Sequence, residues 1–155
     1  VAALGFAASA TGNALAPHVA RLAGGSARGA AVGAVVCALS VGSLAATAGL
    51  DGVAGLVTAG LAYLAMFGGL SVTGLLSLEM QHNAVSAAER TTVTSTSSLS
   101  LQGGGVVANS TLGVLATQAG PAAAWWAASG VVLVSALLFV AMPKVRSEAP
   151  VEIGA

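Results

Sequence analysis

Gln102 and Asn109 stand seven residues apart in a reach of chain, 92–118, that carries no charge. Each amide donates and accepts hydrogen bonds, so the chemistry on offer is recognition: of a polar solute, or of a polar group on a neighbouring helix. Ser95, Ser98, Gly105, Gly113 and Ala116 keep the same period, and at 100° per residue all seven fall within an arc of roughly 80°. Val93, Val107 and Val114 take the other side. A third amide, Asn13, lies in the apolar reach 1–20, and Tyr63 and Phe67 lie one turn apart in the reach 53–78. Tyr63 and Phe67 share a face with Leu56, Gly60, Leu70 and Gly74, and a buried Tyr hydroxyl needs a partner.

Proton transfer and metal binding have no comparable support. Asp51, Glu79 and Glu89 sit at the ends of apolar reaches, His18 and His82 lie near their boundaries, and Cys37 is the single cysteine. No nucleophile–base pair, phosphate-binding loop or His-Glu-x-x-His run is present. These residues point to no enzyme, no metal and no cofactor, and Cys37 fits a small buried apolar residue.

The elements that hold these residues follow from the solvent that the composition requires. Of 155 residues, 56% are hydrophobic and 6% charged, and the mean hydropathy is +0.92. A domain in water carries about 25% charged residues, so lipid is the main solvent here. A formal net charge of zero offers no basic field for nucleic acid. A spanning helix takes about 20 apolar residues, and the charges cut the chain at that spacing. The expectation is an all-α integral membrane protein with five transmembrane helices at about 1–20, 29–50, 53–78, 92–118 and 121–142. A polar loop at 79–91 and a tail at 144–155 complete it. Pro121, after the break in "QAGP", suits the first turn of the last helix.

Arg21, Arg28 and Arg90 follow the first and third helices, and Lys144 and Arg146 follow the fifth. All five fall on one side, so the positive-inside rule makes that side cytoplasmic, with the three arginines as anchors there. The expected location is the cell membrane, multi-pass, with the N-terminus outside and the C-terminus in the cytoplasm. Trp125 and Trp126 open the fifth helix at the outer boundary, as belt or as packing residues. Near the inner end, Arg90 has Glu89 beside it and Glu79 across the loop as partners for an ion pair. A single Ile and a single Lys fit a GC-rich, bacterial coding sequence.

A spanning 92–118 must place its amides against protein or a wet cavity. Its small residues, Gly103, Gly104, Gly105 and Gly113, let another helix approach closely, as does Gly29-x-x-x-Gly33 in the second helix. Asn13 and Gln102 come to about the same depth, which sets them near one another. Two readings of this polar face stand level: interhelical packing, and the lining of a solute path formed by Asn13, Tyr63, Phe67, Gln102 and Asn109.

The stretch "ERTTVTSTSSLSLQGGGVVANSTLGVLA" resembles the cytoplasmic loop and eleventh helix of major facilitator superfamily (MFS) transporters. "GNALAPHVARLAGGSARGAAVGAVV" resembles the eighth helix, the basic loop and the start of the ninth. Arg21 and Arg28 are kept there, without the full Gly-x-x-x-Asp-Arg form. The resemblance covers the chain as helices eight to twelve, most of the C-terminal six-helix bundle. It implies an eleventh helix beside the central cavity, a tenth partly lining it, and alternating access for a small solute, as in proton-coupled efflux of a drug or metabolite. The implied partners are the lipid bilayer, the solute, protons and the N-terminal helices of the same transporter. A start inside a hydrophobic run without Met adds to the expectation of a truncated chain. The alternative is a complete five-helix subunit or scaffold of another membrane protein.

Overall fold

At Gly24 and Gly25 the chain reverses through φ angles of 81° and 137°, a region that side chains strain to enter. In the computed structural model, which describes residues 2–86 and 88–142, this turn joins α1 (Ala2–Ala23) to α2 (Ser26–Ala46). A 3₁₀ turn at Thr47–Gly49 leads to α3 (Gly52–Ala84), followed by α4 (Arg90–Ala119) and α5 (Pro121–Ala141). Gly120, at φ 89°, ends α4, and Pro121 starts α5 at its first position. The described residues are all-helical, with no strand.

The helix boundaries differ from expectation in one informative place. Residues 79–84, expected as loop, continue α3, so that helix runs 33 residues. Glu79, Gln81, His82 and Asn83 are polar yet carry no backbone stop signal, and the helix continues until Val85 turns extended at φ −130°. Polar composition ended the apolar run without ending the helix. The tail at 144–155, with Lys144 and Arg146, lies outside the described residues.

Three helices combine the length and hydropathy of a membrane span: Ser26–Gly49, Gly52–Ala84 and Pro121–Ala141. The other two of the five expected spans, α1 and α4, are helices that fall short of this hydropathy. At 1.5 Å per residue α1 and α4 reach about 33 and 45 Å, more than a hydrocarbon core of about 30 Å. Their length suffices; Thr, Asn, His and Pro in α1 and the Ser/Thr run of α4 lower their hydropathy.

α2 is the hub. It packs on α3 along one side and on α5 along another, while α1 lies against α3 and α4 lies chiefly against α5. Its buried residues are nearly all small, among them Gly29, Ala30, Gly33, Ala34, Ala38 and Gly42, and small residues let backbones approach where lipid supplies no hydrophobic drive. A Cβ on Gly33 would stand 2.8 Å from Gly69 O, and one on Gly69 would stand 2.6 Å from Gly33 O. Thr73 Oγ1 reaches across this contact to Ala30 O at 3.2 Å, and Ser129 Oγ ties α5 to Ala38 O at 2.7 Å. A cluster of Ala16, Ala30, Val72 and Leu76 sits near the α1–α2 turn. Leu76 is the largest fully buried side chain among the described residues, whereas Phe6, Leu101, Val131, Leu137 and Leu138 are each more than 60% exposed. This is the inverse of a globule in water and suits an apolar surround.

Candidate functional site

α4 is the polar element, and it is also the helix with no buried residue. It meets α5 along an edge where Gly105, Leu112, Leu115 and Ala116 are half-buried. Gly105 and Ala116 form one margin of the polar stripe. Ser95, Ser98, Gln102, Asn109 and Gly113 stay exposed. Neither amide makes a hydrogen bond to a described residue, while Thr96, Thr111 and Thr117 return their hydroxyls to carbonyls of their own helix. The stripe therefore faces out of the bundle formed by this chain. Gly103, Gly104, Gly105 and Gly113 have nothing within 4 Å of an added Cβ. Among the described residues no helix approaches closely there; the close backbone approaches fall at Gly12, Gly29, Gly33 and Gly69.

Asn13 is exposed on α1. Pro17, inside that helix, has no N–H to offer the carbonyl four residues back, so Asn13 presents a freed backbone acceptor beside its amide. α1 packs on α3 and α2, whereas α4 packs on α5, and no hydrogen bond joins Asn13 to Gln102. Tyr63 and Phe67 are half-buried and pack together, ring centroids 4.8 Å apart at 52°. The Tyr63 hydroxyl lies 3.3 Å from where a Cβ on Gly5 would be, so this aromatic pair leans on α1. The five residues expected to line a path thus fall into two groups, Tyr63 and Phe67 at the α1–α3 contact and Gln102 and Asn109 on α4, with Asn13 on α1 apart from the second.

The sequence reading missed a cleft of about 460 Å³ where the ends of α3 and α4 converge, lined by Gln81, Thr92, Thr96, Ser97 and Ser100 together with Val93 and Leu101. Ser97 Oγ donates to Gln81 Oε1 at 3.2 Å and joins the two helices. Gln81 was hidden by the loop assigned to 79–91. The i, i+4 series Thr92, Thr96, Ser100 was the available signal.

The arginines gather at one end. Ser26 Oγ donates to Glu79 Oε1 at 3.3 Å, which sets the end of α3 against the α1–α2 turn that carries Arg21 and Arg28. Arg90 opens α4 beyond the same end of α3. Its neighbour Glu89 is engaged otherwise: Ser86 Oγ donates to Glu89 Oε2 at 2.8 Å, with Ser86 N at 3.3 Å. The hydroxyl bond first, then the amide, holds the Glu89 carboxyl below its ordinary pKa. At the far end, Trp126 packs its ring edge over Gly42 of α2 while remaining half exposed, so it is a packing residue within this bundle. Among the described residues no three of His, Cys, Asp and Glu gather at metal-binding distance. Comparison with family models, with curated proteins and with solved structures finds no match to this chain.

Proposed function

We propose that the chain forms helices eight to twelve of an MFS-type secondary transporter that moves a small solute by alternating access. Proton-coupled efflux of a drug or metabolite is the form of transport we favour. One observation carries this reading: α4 holds two amides on a stripe with small residues, and among the described residues nothing covers or bonds those amides. Amides at membrane depth require protein or a wet cavity. A helix of the same transporter on the other side of a solute path supplies both. In this arrangement α1 and α4 span along with the three apolar helices, Arg21, Arg28 and Arg90 face the cytoplasm of a multi-pass protein in the cell membrane, and the tail lies on that side. A complete five-helix subunit that presents α4 to another membrane protein is the second reading, and the same bare stripe favours it.

The test uses the complete gene product. Gln102→Leu and Asn109→Leu are expected to insert at wild-type levels and to lower transport per inserted molecule by about 3- to 30-fold, the factor for about 0.6–2 kcal/mol at one polar contact in a membrane. Proton flux in everted vesicles, across a panel of solutes, gives the measurement. Full activity with Leu at both positions sinks the transport role of the stripe.

A further inference from the structure

α1 and α2 diverge from their shared turn, and α3 packs beneath both. Between them opens a fissure of about 540 Å³, walled by Leu4, Leu15 and Val19 of α1 and Val36 of α2, and floored by Gly68 of α3. Its one polar side chain, Thr11, already donates its hydroxyl to Ala7 O at 2.9 Å. The walls therefore offer a polar ligand no free side-chain hydrogen-bond donor. Leu4 and Leu15 are at least half exposed along it, so the fissure opens outward, away from the α2–α5 contact.

The charge at its closed end is net positive. Arg21 and Arg28 flank the turn and are both exposed, and the Arg28 guanidinium reaches back to within 3.4 Å of the position a Cβ would take on Gly24. Glu79 is the carboxylate set against this turn, tied to Ser26. Two cations against one anion leave the turn net positive, directly below an apolar slot. From Leu4 to Val19 the slot follows about 22 Å of helix, more than the roughly 15 Å of hydrocarbon in one leaflet. An acyl chain entering from the turn end can lie wholly within it.

We propose that this fissure binds an anionic phospholipid, one acyl chain between α1 and α2 and the phosphate at Arg21 and Arg28. Basic groups at the membrane surface attract anionic lipid head groups, and the slot holds the chain that such a lipid brings with it. The inference concerns the α1–α2 side of the bundle and stands independently of any transport by the α4 face.

The full chain, purified in a neutral detergent, is titrated with phosphatidylglycerol and separately with phosphatidylcholine, and bound lipid is counted by native mass spectrometry. One phosphatidylglycerol is expected to be retained in preference to phosphatidylcholine. Arg21→Gln and Arg28→Gln should each weaken phosphatidylglycerol about fivefold, the factor for one basic residue at a membrane surface, and leave phosphatidylcholine unchanged. Glu79→Gln should strengthen phosphatidylglycerol. Gly68→Leu fills the floor, where an added Cβ meets nothing nearer than Ala8 O at 4.0 Å, and should weaken both lipids. Ala7→Leu, exposed on the wall, does the same and replaces it if circular dichroism shows Gly68→Leu to have lost helix. Equal retention of the two lipids, wild-type binding in both the arginine variants, or wild-type binding in the folded slot-filling variants overturns the proposal.

Discussion

Gly33 and Gly105 are the same residue with opposite prospects. A methyl on Gly33 runs into Thr73 Oγ1 at 2.6 Å and Gly69 O at 2.8 Å, whereas a methyl on Gly105 meets nothing within 4 Å. Gly33→Ala is expected to destabilise by about 1–3 kcal/mol through overpacking, and Gly105→Ala to stabilise by up to about 1 kcal/mol through helix propensity. Thermal unfolding of the full chain in detergent reads both, and equal effects at the two sites would contradict the packing described. The Gly29-x-x-x-Gly33 pattern was legible in the sequence because its period marks one face. Its partner Gly69 was not, since nothing local distinguishes it from Gly68, and the run 103–105 had the right residues without the neighbour that makes glycine matter. Glu89 gives a pH prediction. Its pKa is depressed by the hydrogen bonds from Ser86, so these bonds contribute fully above the ordinary carboxylate range and are lost as pH falls through the lowered folded value. Ser86→Ala should return the Glu89 carboxyl toward its ordinary pKa, followed by carbon NMR of the side chain; an unchanged midpoint refutes the assignment.

The helices differ more in how they are held than in their propensities. α2 buries roughly every second residue and is contacted on two sides, whereas α4 buries none. Opening free energy follows buried contact, so hydrogen exchange of the full chain in detergent should be slowest in α2 and faster in α4 by about tenfold or more. Protection of α4 equal to that of α2 would show that its contact with α5 holds far more strongly than its burial indicates. Five helices were legible from runs of apolar residues cut by charges, and α5 lies within a residue of its expected bounds. The end of α3 was not legible, because Gln81 and His82 leave an apolar run while remaining good enough helix residues. The stripe on α4 was legible as a period; that no described residue lies over its amides was not, since a helical wheel places residues around an axis and says nothing of which axis lies beside it.

At the scale of the whole bundle, the hydrogen bonds from Ser26 to Glu79 and from Ser97 to Gln81 collect Arg21, Arg28 and Arg90 at one end, with Asp51 at the other. If that basic end faces the cytoplasm, a cysteine at position 86 in a Cys37→Ala background stays unlabelled by an impermeant reagent added to intact cells and reacts once the cells are opened. Labelling from outside reverses the orientation. The same architecture has a consequence in time. α4 rests chiefly on α5, which follows it after the single residue Gly120 and is 21 residues long. A ribosome working at about 5–20 residues per second needs about one to four seconds to make α5. For that interval the most polar helix of the bundle has been delivered and the helix it rests on has not. If α4 spans the membrane as proposed, it has to be sheltered at the insertion machinery until α5 emerges, and the two enter the bilayer as a hairpin.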